Sequence, residues 1–139
     1  MRIAFGTDED TPLTAEVVSD LRARGHEVEQ VAVGAQWPEV GRAVGAAVAG
    51  GDAERGVVCC WTGTGVAMAA NKVPGVRAAL CTDAATAQGS RRWNDANVLA
   101  FGLRLTTQEL AREMVDSFLA TDADESELPV ISRVEGPVG

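Results

Sequence analysis

The chemistry of this chain concentrates where an apolar run ends on a thiol. Val57-Val58-Cys59-Cys60 is followed by Trp61-Thr62-Gly63-Thr64-Gly65, and then by the Ala-rich segment Val66 to Lys72. The pattern predicts a buried strand, a tight loop and a helix N-terminus. Glycines at Gly63 and Gly65 let backbone N–H groups approach an oxyanion closely, and a helix N-terminus favours negative charge. Thr62 and Thr64 add hydroxyls. Cys60 stands at the carboxyl end of the strand, where open α/β sheets bind their ligands. A thiol acts as nucleophile or base only as thiolate, a form that a helix N-terminus favours. The bland alternative for Cys60 is a small buried hydrophobe. Cys59 and Cys81 fall within strand-like runs and keep that reading. Three cysteines, two of them adjacent, make neither a disulfide framework nor a metal-ligand spacing. The only histidine, His26, sits in the polar turn Arg24-Gly25-His26-Glu27 and reads as a solvated turn residue.

Strand-like and helical segments alternate along the chain, as in a parallel α/β sheet. Strands are expected at Met1–Gly6, His26–Val33, Gly56–Cys60, Val76–Cys81 and Asn97–Phe101. The third is apolar throughout, as burial on both faces requires. Helices are expected from Pro12 to about Arg24, from Pro38 to Gly50, from Gly65 to Val73-Pro74-Gly75, from Asp83 to Arg92 and from Thr106 to Leu119. Thr11 caps the first, with Pro12 at its first position and Gly25 past its end. Thr106 or Thr107 caps the last. The tail from Asp122 is acidic and then mixed. Its Leu128, Val130, Ile131 and Val134 call for a packing surface, for which a neighbouring subunit is a candidate.

The chain has 139 residues, enough for one domain with a real core. Nearly half the residues are apolar, chiefly Ala and Val, which points to a globular protein. No apolar run is long enough to span a bilayer, and no signal-peptide pattern precedes the first strand. A cytoplasmic protein is expected. A net charge of −8 argues against nucleic acid as the main partner. Any phosphate-bearing ligand then needs local arginines.

Three ordered stretches carry a specific resemblance: Asp52-Ala53-Glu54-Arg55-Gly56 into Cys60-Trp61-Thr62-Gly63-Thr64-Gly65, then Ala69-Ala70-Asn71-Lys72-Val73-Pro74-Gly75-Val76-Arg77-Ala78-Ala79-Leu80-Cys81, then Asn94-Asp95-Ala96-Asn97-Val98-Leu99. Over nearly its whole length the chain resembles the ribose-5-phosphate isomerase B family, which includes the paired subunits of galactose-6-phosphate isomerase. The resemblance implies a doubly wound, Rossmann-like αβα sandwich on a five-stranded parallel sheet. It implies a homodimer or dimer of dimers with active sites at the subunit interface. It implies aldose–ketose isomerisation through an enediol, without metal or organic cofactor. Cys60 matches the family's base, and Thr62 a threonine that relays a proton or holds a sugar oxygen. Asp8 matches an aspartate that contacts sugar hydroxyls, and Asn94 an asparagine of the enediolate site. Arg104 and Arg133 match arginines that grip phosphate. Each also has an ordinary reading: a helix-start carboxylate for Asp8, a turn residue for Asn94, surface charge for the arginines.

Two departures from the pattern are serious. Glu9 follows Asp8 where the family carries histidine, and Trp93 precedes Asn94 where it carries the histidine credited with sugar ring opening. Pro129 stands near the place of a further arginine, and Trp61 replaces a glycine and narrows the site's mouth. Trp93 can stack on a sugar but exchanges no proton near neutral pH. Ring opening would fall to Glu9 or Asp8, or the substrate arrives open-chained, which favours short sugars. The reading is an aldose–ketose isomerase of a sugar phosphate, ribose 5-phosphate/ribulose 5-phosphate by default. Alternatives are a silent or partner-dependent subunit, and an isomerase of an unusual short or unphosphorylated sugar.

Overall fold

The computed structural model describes residues 1–136. Five parallel strands, β1 (Arg2–Thr7), β2 (Glu27–Val33), β3 (Arg55–Cys60), β4 (Ala78–Leu80) and β5 (Val98–Gly102), form one sheet in the order β2-β1-β3-β5-β4. Six helices connect and follow them: α1 (Pro12–Ala23), α2 (Trp37–Ala49), α3 (Thr64–Asn71), α4 (Ala84–Asn94), α5 (Gln108–Ala120) and the short α6 (Leu128–Ile131). Helices α1, α4 and α5 cover one face of the sheet, and α2 and α3 the other. This is the doubly wound three-layer arrangement expected from the sequence.

The two faces pack differently because their side chains differ in size. Toward α1, α4 and α5 the sheet presents Ile3, Phe5, Val57, Leu99 and Phe101, which meet Leu21, Met114 and Phe118. Toward α2 and α3 it presents Ala4, Val58, Cys60 and Ala100. Here the helix backbones come close. A Cβ on Gly6 would lie 2.8 Å from Val44, and one on Gly41 would lie 2.6 Å from the Ala69 Cβ. Overpacking of this kind costs about 1–3 kcal/mol, which explains glycine at both positions.

Helix limits follow the capping chemistry. Thr11 and Thr14 form a reciprocal capping box ahead of α1, and Thr107 accepts from the Leu110 N–H ahead of α5. Two elements differ from expectation. Strand β4 is three residues long, since the Asn97 side chain takes the Arg77 N–H at 2.7 Å and turns the chain away before Ala78. At its other end the strand stops at Leu80, and Cys81 lies just past it with its N–H donating to the Ala100 carbonyl at 2.9 Å. Helix α4 runs two residues beyond Arg92, so Trp93 and Asn94 occupy its last turn. It stops at Asp95, whose φ of 48° is left-handed and whose carboxylate binds both Arg77 and Arg91. The tail folds back on its own α4, with the Asp124 N–H donating to the Arg92 carbonyl at 2.9 Å. Ile131 is buried there, while Leu128, Val130 and Val134 remain exposed. The last part of the expected tail, 137–139, lies outside the described residues.

Candidate functional site

Strand order places a switch point between β1 and β3. The chain leaves β1 toward the α1 layer and leaves β3 toward the α2/α3 layer, so a crevice opens between the two strand ends. The register pairs Thr7 with Cys59. It continues one residue further, where the Asp8 N–H reaches the Cys59 carbonyl at 3.4 Å, and this sets Asp8 beside Cys60. Cys60 belongs to the α2/α3 face and is 5% exposed. Ala4 and Gly6 face the same layer, and the strand's alternation carries Asp8 there too. The Asp8 Oδ1 atom is buried and has no hydrogen-bond partner among the described residues. A buried acceptor of this kind is costly unless a water or a ligand hydroxyl donates to it.

The loop above Cys60 is held from both sides. Gly63 takes the helix-capping position with φ of 78°, a left-handed conformation that favours glycine. The Cys60 and Trp61 carbonyls accept from the N–H groups of Leu103 and Arg104, each at 2.9 Å. A Cβ on Gly102 would fall 2.7 Å from the Thr62 carbonyl, so the β5 end lies directly against the loop. Among the described residues, the N–H groups of Thr62, Gly63, Thr64 and Gly65 donate to no group of the chain. The Thr62 and Thr64 hydroxyls are 2.8 Å apart. Arg104 joins Trp61, Thr62, Leu105 and Thr106 around a neighbouring cavity of about 210 Å³. Glu9 is exposed at the crevice rim, and its carbonyl accepts from the Thr7 hydroxyl at 2.7 Å.

The other thiols are buried. Burial pushes Cys59 up to about 12 and Cys81 up to about 11. Among the described residues no group of three or more His, Cys, Asp or Glu could hold a metal ion. Among the described residues no helix is long and apolar enough to cross a membrane.

One residue of this end went unnoticed in the sequence. Trp37 opens α2, and a Cβ on Gly65 would fall 2.9 Å from its indole, which therefore lies against the first turn of α3. The ring is 43% exposed beside the loop. The local signal was an aromatic residue next to Pro38 at a helix start, directly after a strand.

Three predicted site residues lie elsewhere. Trp93 and Asn94 sit at the end of α4, near the N-terminal ends of β4 and β5. They line a groove of about 900 Å³ with Asn71, Val134 and Glu135, the last two following Arg133. Cys60 and Asn94 are thus at opposite ends of the sheet, separated by about 15–20 Å of strand. His26 is also at the far end, but beside edge strand β2, with Nδ1 3.0 Å from the N-terminal amine. One copy of the chain brings together Asp8, Glu9, Cys60 to Gly65 and Arg104. It does not bring Trp93, Asn94 or Arg133 to them.

The arrangement matches known proteins over nearly the full length. A family model described as Ribose/Galactose Isomerase matches residues 3–135. The chain belongs to the ribose/galactose isomerase family. Ribose-5-phosphate isomerase B of Escherichia coli is 42% identical over 123 residues, 85% of this chain and 83% of that protein. D-erythrulose-4-phosphate isomerase 2 of Mycolicibacterium smegmatis is 42% identical over 112 residues, 76% of this chain and 74% of that protein. The solved structure of Clostridium thermocellum ribose-5-phosphate isomerase B superposes with a TM-score of 0.90 at 36% identity, covering 97% of this chain and 95% of that one. Family membership and the α/β architecture expected from the sequence agree.

Proposed function

We propose that the chain interconverts the aldose and ketose forms of a short, open-chain sugar phosphate, with Cys60 as the base. As a member of this family it is a sugar-phosphate isomerase; the substrate and the roles of individual residues are the proposal. The carrying observation is the pairing of Cys60 with Asp8 at the β1/β3 switch point, under a loop whose N–H groups are free. The Cys60 thiolate removes the proton from C2 of the aldose. The carbonyl oxygen becomes an enediolate oxygen, held by the free N–H groups of the loop. Thr62 carries the hydroxyl proton between O1 and O2, and Cys60 returns its proton to C1. Asp8 accepts a sugar hydroxyl, and Arg104 holds the phosphate with its forked donors.

Two features support a short substrate. The positions that would open a ring carry Glu9 and Trp93, and His26 lies at the wrong edge of the sheet. A four-carbon sugar with phosphate on O4 cannot close a furanose ring, so it needs no ring-opening acid. A relative named for D-erythrulose 4-phosphate accords with this. Asn94, Trp93 and Arg133 reach the site from a second copy of the chain, with Trp93 stacking on the substrate. The test is turnover of erythrose 4-phosphate and erythrulose 4-phosphate against ribose 5-phosphate and ribulose 5-phosphate. Cys60→Ala should abolish activity and keep the fold. Full activity in that variant would remove Cys60 as the base, and preference for the five-carbon pair would remove the short substrate.

A further inference from the structure

We propose that Thr7 is a positioning residue that keeps the Asp8 Oδ1 turned inward and ready for a hydroxyl donor. This rests on the reading of Asp8 as a substrate contact.

Asp8, Glu9 and Asp10 are three consecutive carboxylates at a chain reversal. Their mutual repulsion and their hydration both favour swinging outward into water. Asp8 instead keeps Oδ1 buried and unpaired. Its own backbone provides a weak restraint, since its N–H meets the Cys59 carbonyl only at 3.4 Å. The strong restraint is beside it. Thr7 is 1% exposed, and its hydroxyl donates to the Glu9 carbonyl at 2.7 Å, bridging across Asp8. Thr7 is also paired in register with Cys59 of the neighbouring strand, whose Sγ donates to the Gly6 carbonyl at 3.8 Å. The peptides on both sides of Asp8 are therefore tied to the buried end of β1. The open lone pair of Oδ1 requires a donor. A polyol or sugar hydroxyl supplies one; a ketone, ester or carboxylate does not.

The test is calorimetric binding of two non-reacting polyol phosphates, erythritol 4-phosphate and ribitol 5-phosphate, alongside turnover and thermal unfolding. Thr7→Val should weaken binding by roughly tenfold or more, as loss of a hydrogen bond to a charged group does, while Thr7→Ser stays within about twofold of the unaltered protein. In an Asp8→Ala background, which removes the acceptor, Thr7→Val should add little, because both changes act on one contact. Equal loss from Thr7→Val with and without Asp8→Ala overturns the proposal, as does failure of Thr7→Ser to retain binding. Binding and turnover that survive Asp8→Ala unchanged overturn it while leaving the isomerase reading intact. No binding and no turnover by the unaltered protein overturns both.

Discussion

Adjacent cysteines in one strand meet different fates because alternation sends them to opposite faces. Cys60 opens on the crevice, whereas Cys59 is enclosed beside Thr7. Burial is the largest cause of the upward shifts of Cys59, from 9.0 to about 12, and of Cys81, to about 11. In the unfolded chain these thiols ionise near their ordinary value. Between about pH 9 and 11 the unfolded state sheds protons that the native state keeps, so stability falls as pH rises. The contribution is complete below about pH 9 and is lost on the way to the folded values. From pH 8 to 10 each thiol should remove roughly 1.4 kcal/mol. The chain has no tyrosine and a single lysine, Lys72, so few other groups blur this range. Urea unfolding at the two pH values should show a smaller loss for Cys59→Ala than for the unaltered protein. An identical loss in both would show that Cys59 does not carry the effect.

The geometry of the proposed catalytic loop belongs to three elements meeting, not to the loop alone. The end of β3 supplies Cys60, the start of α3 supplies the free N–H groups, and the end of β5 presses on the Thr62 carbonyl through Gly102. That contact has no space for a side chain. Gly102→Ala should displace the loop by a fraction of an ångström to an ångström, and turnover should drop by about 100-fold, as small misplacements in an active site do. Stability should fall only by about 1–3 kcal/mol. Kinetics and chemical unfolding on the same variant separate the two effects; unchanged turnover would mean that the loop position is unimportant. Helix α4 shows the reverse dependence. Its overrun to Asn94 is set by the Arg77–Asp95–Arg91 cluster, which joins residues far apart in sequence.

At the scale of the whole molecule, the separation of Cys60 from Asn94 decides what assembly the chemistry needs. Both belong to the proposed site, yet they lie at opposite ends of one sheet. Trp61, Met68, Leu80, Trp93 and Leu105 are exposed apolar side chains, the surface a second copy would cover if the proposed site is shared. In a symmetric dimer each site then takes Cys60 from one copy and Asn94 from the other. Cys60→Ala and Asn94→Ala proteins should each be inactive alone. Unfolded together and refolded as a mixture, they should recover about a quarter of full activity, since half the dimers are hybrids and each hybrid has one intact site. No recovery would place both residues outside a shared site. Activity absent from the unaltered homomer, but present with a related chain, would support a partner-dependent subunit.

Much of this protein was legible along the chain. Alternating strand and helix periods, the Thr11 cap, Gly25 and the Gly63-Thr64-Gly65 turn are local signals, because they depend on neighbouring residues and backbone angles. They gave the α/β class, most element limits, and the thiol at a strand end facing a loop. The short β4 was not legible, because the Asn97 side chain that diverts Arg77 comes from 20 residues away. Nor was Trp37, whose place beside the loop depends on α2 packing against α3. The family resemblance also grouped Trp93, Asn94 and Arg133 with Cys60 without showing that they stand at the other end of the fold. A motif carries residue types and order. Distance between its parts is set by strand direction and helix packing, and only the tertiary structure divides these residues between two ends of the sheet.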